Sequence, residues 1–538
     1  MNYRINREYY MKIALAQLNY TIGDIEGNAS RIIDAIHRAE GDGADLVLFA
    51  EYAVSGTPCY DLLRKTTFLT MCEEALEQIA AECHKVTAIV GSPYLTERGP
   101  VSAAVVLRNG KIDEVVEKQH VKARREMGFI VGGEGSKVVE VYGRNIAIMV
   151  GDDLSQLYEL DKEADFVVSI NARRYGKGLL TERYEMMRRL TYTENRNIII
   201  MNQVGGSGDL VYDGTSGIMN KEGKIELFMK SFEEDFQIFD TLAKHEGLEG
   251  APYTSYNDRN RMVYKAACLG LRDYFHKNGY TKACVGLSGG IDSSVVVCLA
   301  VGALGKENVR GLMMPSQFSS DSSVEDAKEL ATRLGIEYSV LPINAAYTAI
   351  MDTLKPVTGG TEFDATEENI QSRIRTVLLM ALQNKDGYIL LNSSNKSENS
   401  LGWCTLYGDT AGAFSPTGDL YKSEMYDLAR YINLTFGNVI PEAILKKEPS
   451  SELRPNHKDS DILPPYEVVD AILYRMIEKG EHREEIINAG FDSEVVEKIH
   501  TMVMRNVKKR YQYPPVLRLS ARSFRHEILF PLVNKYGY

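Results

Sequence analysis

Read from Met11 onward, short apolar runs alternate with helix-length amphipathic stretches: KIALAQL predicts a strand, the segment carrying Ile32, Ile33 and Ile36 a helix, and LVLFAEY a second strand. Hairpin signals interleave with that rhythm. VVLRNGKIDEVVEK sets Asn109-Gly110 between two alternating runs, and GIMNKEGKIELF turns around Gly223, so antiparallel strands mix with helices. Residues 11–243 are therefore expected to form an α+β layered sandwich. Over residues 244–260 periodicity is lost and Gly, Pro, Ser and Asn gather, which predicts a connector. Across 261–538 the buried-strand candidates ACVGL, VRGLMM, EYSVLPI and YILLNSS are separated by helix-length segments, the rhythm of an α/β doubly wound parallel sheet.

Length and composition narrow the functional classes. A chain of 538 residues exceeds what one hydrophobic core serves, so two domains are expected. The net charge of −12 argues against extended nucleic-acid contacts, which need a surplus of Lys and Arg. No apolar run reaches the roughly 18 residues that span a bilayer, so no membrane role is expected. The seven cysteines are scattered and form no CxxC pair, which excludes a disulfide framework or zinc site and predicts a reducing, cytoplasmic setting.

The strongest chemical signal is KACVGLSGGIDSSVVVCLAVGAL. A buried strand runs into Ser288, Gly289, Gly290, Ile291, Asp292, Ser293 and Ser294 and then into a helix. Adjacent glycines let backbone approach a ligand, the helix N-terminus favours polyphosphate, and the serine hydroxyls add donors. A carboxylate does not attract phosphate, so Asp292 is expected to hold Mg2+ against it. The order is not GxxxxGK[ST], which excludes a Walker A loop. The turn resembles instead the pyrophosphate loop of the N-type ATP pyrophosphatases, which release pyrophosphate and keep AMP.

Farther on come ENIQSRIRTVLLMALQNK, LLNSSNKSENSLGWCTLYGDTAGAFSPTGDLYKSEMYDLARYIN and KKEPSSELRPNHKDSDILPPY. With SGGIDSS they resemble the NAD+ synthetases over essentially the whole second half. The resemblance implies an adenine nucleotide alpha hydrolase-like fold and a ligase with ATP as co-substrate and Mg2+ as cofactor. That ligase adenylates the nicotinate carboxylate of deamido-NAD+ and amidates it with ammonia. Carried over by residue, it implies that Ser393, Lys422 and Ser451 join the turn in binding ATP and that Glu398 joins Asp292 on the metal. It further implies that Asn369, Arg373, Glu398, Trp403, Tyr407, Asp409 and Arg518 bind deamido-NAD+. Arg518, in PPVLRLSARSFRHE, stands where the family has lysine, which keeps the charge but changes its geometry.

The first half resembles the nitrilase superfamily and implies its four-layer α+β sandwich. FAEYAVSG carries Glu51 and VVEKQH carries Lys118, where that superfamily keeps its base and its oxyanion-stabilising lysine. The third segment departs: IAIMVGDDL puts Gly151 where the nucleophilic cysteine belongs. Two neighbouring segments depart as well, with Arg173-Arg174 for Ser-Pro and VKARREMGF after the lysine. Glutaminase activity is therefore expected to be lost, with Glu51 and Lys118 as remnants and ammonia supplied free or by an external donor. Cys59, the cysteine nearest Glu51 in sequence, is expected in a loop and not as a substitute nucleophile. The family implies a homo-oligomer. Pro356–Thr366, rich in Gly and Thr, is a candidate lid. The alternatives are another amidotransferase or a thiolating ligase of the same ATP-binding fold, for which paired cysteines and a basic surface are missing, and a non-catalytic scaffold.

Overall fold

The computed structural model describes residues 10–160, 163–243, 245, 247, 255–359, 363–455, 458–533 and 535. The chain forms two compact units, residues 1–254 and 255–538.

In the first unit β1 (Lys12–Gln17), β2 (Leu46–Leu48), β3 (Thr87–Thr96), β4 (Gly99–Arg108), β5 (Lys111–Glu117) and the last strand, Asp235–Asp240, form one six-stranded sheet. The predicted Asn109-Gly110 hairpin joins β4 to β5, with Arg108 opposite Lys111 and both turn residues at positive φ. A second six-stranded sheet holds β6 (Lys137–Val141), β7 (Arg144–Val150), β8 (Phe166–Asn171), β9 (Asn197–Asn202) and the hairpin of Gly217–Met219 with Ile225–Phe228.

Alternation along the strands decides how these sheets layer. Ile13, Leu15, Leu46, Leu48 and Ile89 from one sheet meet Ile146, Ile148, Val168, Ile170 and Ile199 from the other in a shared core. On its opposite face the first sheet turns Ala14, Val47, Ala88 and Val90 to α1 (Ile25–Gly41) and α2 (Thr66–Ala81), whose buried faces carry Ile32, Ile36, Leu76 and Ile79. α3 (Leu179–Glu194) packs on the second sheet, which gives the four layers helix, sheet, sheet, helix.

The second unit opens with α4 (Tyr256–Lys277), capped by Ser255, whose hydroxyl accepts the Asp258 N–H. The helix thus begins inside the stretch expected to be a connector, because Ser and Asn there serve as cap and first-turn residues and not as linker. Residues 244, 246 and 248–254 of that stretch lie outside the described residues. The sheet is parallel, in the order Glu337–Val340, β11 (Val309–Met313), β10 (Ala283–Gly286), Ile389–Leu390. α5 (Ile291–Leu304) follows β10, and from Ile291 to Ala300 only Asp292 is not buried. α6 (Asp321–Leu334) follows β11; α7 (Asn344–Thr358) and α8 (Ala365–Asp386) follow the edge strand. Of the predicted lid, Pro356–Thr358 belong to α7, Asp364 caps α8 through a capping box, and 360–362 lie outside the described residues. Short α9 (Lys396–Leu401) and longer α10 (Lys422–Phe436) complete the wall at the carboxyl ends of the strands. Among the described residues no helix is long and apolar enough to cross a membrane.

Candidate active site

At the carboxyl end of β10 the chain turns sharply into α5. Gly289 makes that turn at φ +76, and a Cβ there would lie 2.2 Å from the backbone oxygen of Ser323 at the start of α6, so only glycine fits. Gly290 caps α5 without any side-chain hydrogen bond to the first N–H groups, which leaves that end of the helix able to donate to a ligand. The hydroxyls of Ser288 and Ser293 lie 3.2 Å apart. Ser294 behaves differently: its hydroxyl donates to the Gly290 oxygen at 2.7 Å and the residue is fully buried, so it braces the turn from behind.

The turn lines a cavity of about 320 Å3 whose walls include Ser288, Gly289, Gly290, Ile291, Asp292 and Ser293 together with Ser393, Glu398, Trp403, Asp409, Lys422 and Ser451. Thus residues as far apart in sequence as Ser288 and Ser451 converge on one cavity. Asn369, Arg373, Tyr407 and Arg518 do not line it. Asn369 accepts the Thr405 hydroxyl at 2.6 Å and Arg373 donates to the Leu406 oxygen at 3.1 Å, so both brace the loop that carries Trp403 and Asp409. Tyr407 is 69% exposed, and Arg518 is buried against Glu527.

Electrostatics concentrate on one ammonium. Lys422 Nζ stands 2.5 Å from Asp292 Oδ2 and 3.4 Å from Glu398 Oε1. Although burial works against its charge, Asp292 and then Glu398 hold Lys422 above the usual lysine range. Burial pushes the Glu398 carboxyl up to about 8 against the pull of Lys422. Among the described residues no group of three or more His, Cys, Asp and Glu side chains gathers as a ligand set. Two carboxylates converging on one cation nevertheless suit Mg2+, which completes its shell with phosphate oxygens and water.

Sequence reasoning missed residues whose partners are distant in the chain. Asn395, inside NKSE, is fully buried and donates from Nδ2 to Asp292 at 3.0 Å while its Oδ1 accepts the Glu398 N–H at 2.9 Å. Arg375 and Lys447 also line the cavity. On the opposite wall Glu452 accepts from the Ser320 and Ser323 hydroxyls at 2.9 and 2.6 Å, which fastens segment 447–453 to the start of α6.

In the first unit, Lys118 Nζ lies 3.1 Å from Glu51, 2.7 Å from Glu126 and 3.7 Å from Asp152. Glu51 also accepts from Ser102 at 2.9 Å and from the Ala172 N–H at 3.2 Å. Glu126 comes from the VKARREMGF segment that looked divergent. Gly151 follows β7 directly at φ +55, and a Cβ there would fall 2.7 Å from Lys118 Nζ and 2.9 Å from Glu51 Oε2. Position 151 therefore faces both Glu51 and Lys118 and carries no side chain toward them. Its neighbours are otherwise employed: Asp153 accepts the N–H groups of Gln119 and His120 at 2.9 and 2.8 Å, and Arg173 donates to the Gly151 oxygen at 3.3 Å. The Cys59 thiol donates to the Gly56 oxygen at 3.0 Å and is pushed up to about 11 by burial, so it is protonated at neutral pH.

Comparisons with known proteins agree with this geometry. Residues 12–240 match the carbon-nitrogen hydrolase family model and 263–513 the NAD synthase model. The chain is 37% identical to the glutamine-dependent NAD(+) synthetase of Acinetobacter baylyi over 97% of its length and 98% of the relative's. It is 34% identical to that of Thermotoga maritima over 98% and 99%. Among solved structures, the glutamine-dependent NAD+ synthetase of Acinetobacter baumannii in complex with ADP superposes with a TM-score of 0.76 at 35% identity, covering 98% of this chain and 99% of that one. The Cytophaga hutchinsonii enzyme shares the fold at a TM-score of 0.85 and 19% identity, with 98% of each chain covered. With both family models matched in order and full-length identity well above one third in the first relative, the chain belongs to the family of glutamine-dependent NAD+ synthetases.

Proposed function

We propose that this chain makes NAD+ by ATP-dependent amidation of deamido-NAD+, and that its nitrogen comes from free ammonia or from another protein because Gly151 brings no thiol to Glu51 and Lys118. In the first step a nicotinate carboxylate oxygen attacks the α-phosphorus of ATP, the bond to the bridging oxygen breaks, and pyrophosphate leaves. In the second, ammonia adds to the acyl carbon, AMP departs with the electrons of the C–O bond, and one proton is released.

The observation that carries this reading is the turn at Ser288–Ser293, open to the same cavity as Lys422 and Asp292. Free N–H groups at the start of α5 and the hydroxyls of Ser288, Ser293, Ser393 and Ser451 bind phosphate oxygens. Lys422 stabilises the charge that grows on departing pyrophosphate. Mg2+ held by Asp292 and Glu398 would neutralise phosphate charge when bound. Trp403 and Asp409 contact the dinucleotide; Asn369 and Arg373 act through the loop they brace. Tyr407 and Arg518 lie away from the cavity and are assigned no direct contact. A homo-oligomer in the cytoplasm belongs to the same reading, supported by the family resemblance and by cysteines that are all free.

Purified protein given deamido-NAD+, ATP and ammonium should yield NAD+, AMP and pyrophosphate in equal amounts; release of ADP would overturn the assignment. Replacing ammonium by glutamine should abolish turnover. Steady NAD+ formation from glutamine by the pure chain would show that loss of the thiol at position 151 has been compensated.

A further inference from the structure

The contact between Lys422 and the carboxylates of Asp292 and Glu398 carries a second role for that lysine. Its side chain is 5% exposed, and the two carboxylates are 17% and 19% exposed. The ammonium sits between Asp292 Oδ2 and Glu398 Oε1, the position a divalent cation bridging the pair would take. What orients the carboxylates is separate from the lysine. Asn395 holds the other oxygen of Asp292 through its amide and caps the N–H of Glu398 through its carbonyl oxygen, while the backbone N–H of Lys422 is tied to Ser397 Oγ at 2.8 Å. Withdrawal of the ammonium would thus leave two carboxyl groups facing each other on a fixed frame, which either a proton on Glu398 or another cation must balance.

We propose that Lys422 and the divalent metal exchange at the Asp292–Glu398 pair. The ammonium occupies the pair until the metal arrives, and the metal then displaces it toward the phosphates on its flexible stem. One lysine would in this way neutralise the empty cradle and later serve the leaving pyrophosphate, without both cations sharing the same oxygens. The proposal rests on the synthetase reading only in that the metal accompanies ATP. It predicts that the metal and Lys422 compete, so that removing the lysine tightens metal binding even as it harms catalysis.

The test uses the full chain and Mn2+ alone, with bound metal read from the loss of the free-ion electron paramagnetic resonance signal. Lys422→Met should bind Mn2+ about tenfold more tightly than wild type, since a competing unit charge is gone. Unchanged or weaker binding, or no binding by either protein at millimolar metal, overturns the exchange. Should the variant not fold, wild type decides: acetylation of the Lys422 amine, read by mass spectrometry, should rise several-fold with Mg2+ alone and fall again with Mg2+ and ATP. A labelling rate indifferent to Mg2+ overturns the proposal. Production of AMP and pyrophosphate by the same wild-type preparation scores the synthetase reading separately.

Discussion

Each unit buries a lysine among carboxylates, and the two clusters differ in what adjoins them. Lys118, 1% exposed, is surrounded by Glu51, Glu126 and Asp152, and the backbone of Gly151 lies against it. Lys422 holds Asp292 and Glu398 beside a cavity of about 320 Å3 that takes in the Ser288–Ser293 turn. The lesson is that a buried lysine among carboxylates does not by itself mark a ligand site. Once buried charges neutralise one another, removal of any one is costly, so such a cluster stabilises the fold whatever chemistry adjoins it. The Lys422 cluster adds a ligand-sized space and a glycine turn beside it.

The comparison breaks most visibly if the second cluster is dispensable. Asp292→Asn should lower kcat/KM for ATP in the ammonium-dependent reaction by about a hundredfold or more, the scale of losing a group aimed at developing charge. A rate near wild type would remove Asp292 from the phosphate site. The mirror experiment is Lys118→Met, which leaves three carboxylates without their shared cation. It should destabilise the first unit by about 3–5 kcal/mol, seen as an earlier calorimetric transition, while ammonium-dependent NAD+ formation stays within about twofold, as expected for separate cores. A parallel collapse of synthesis would mean that the first unit still serves catalysis.

What could be read from sequence follows from how local the cause is. The Asn109-Gly110 hairpin and the Gly289 turn are set by backbone conformations that one or two residues impose, and both appear where expected. Gly151 was legible because an absent side chain needs no partner to be noticed. Glu126 and Asn395 were not, since each acquires its role from residues folded in from elsewhere: Glu126 from Lys118 and Glu51, Asn395 from Asp292, 103 positions away. Ser294 and Arg518 differ in the opposite sense. Their types suit phosphate or dinucleotide, while the fold turns the Ser294 hydroxyl to the Gly290 oxygen and one Arg518 nitrogen to Glu527.

The burial of α5 has one more consequence. Because ten residues from its first turn are sunk among neighbouring helices with only Asp292 partly uncovered, the platform under the phosphates behaves as an anvil: it cannot recoil when a product must go. What can give at this site is therefore the facing wall, where the hydroxyls of Ser320 and Ser323 clasp Glu452.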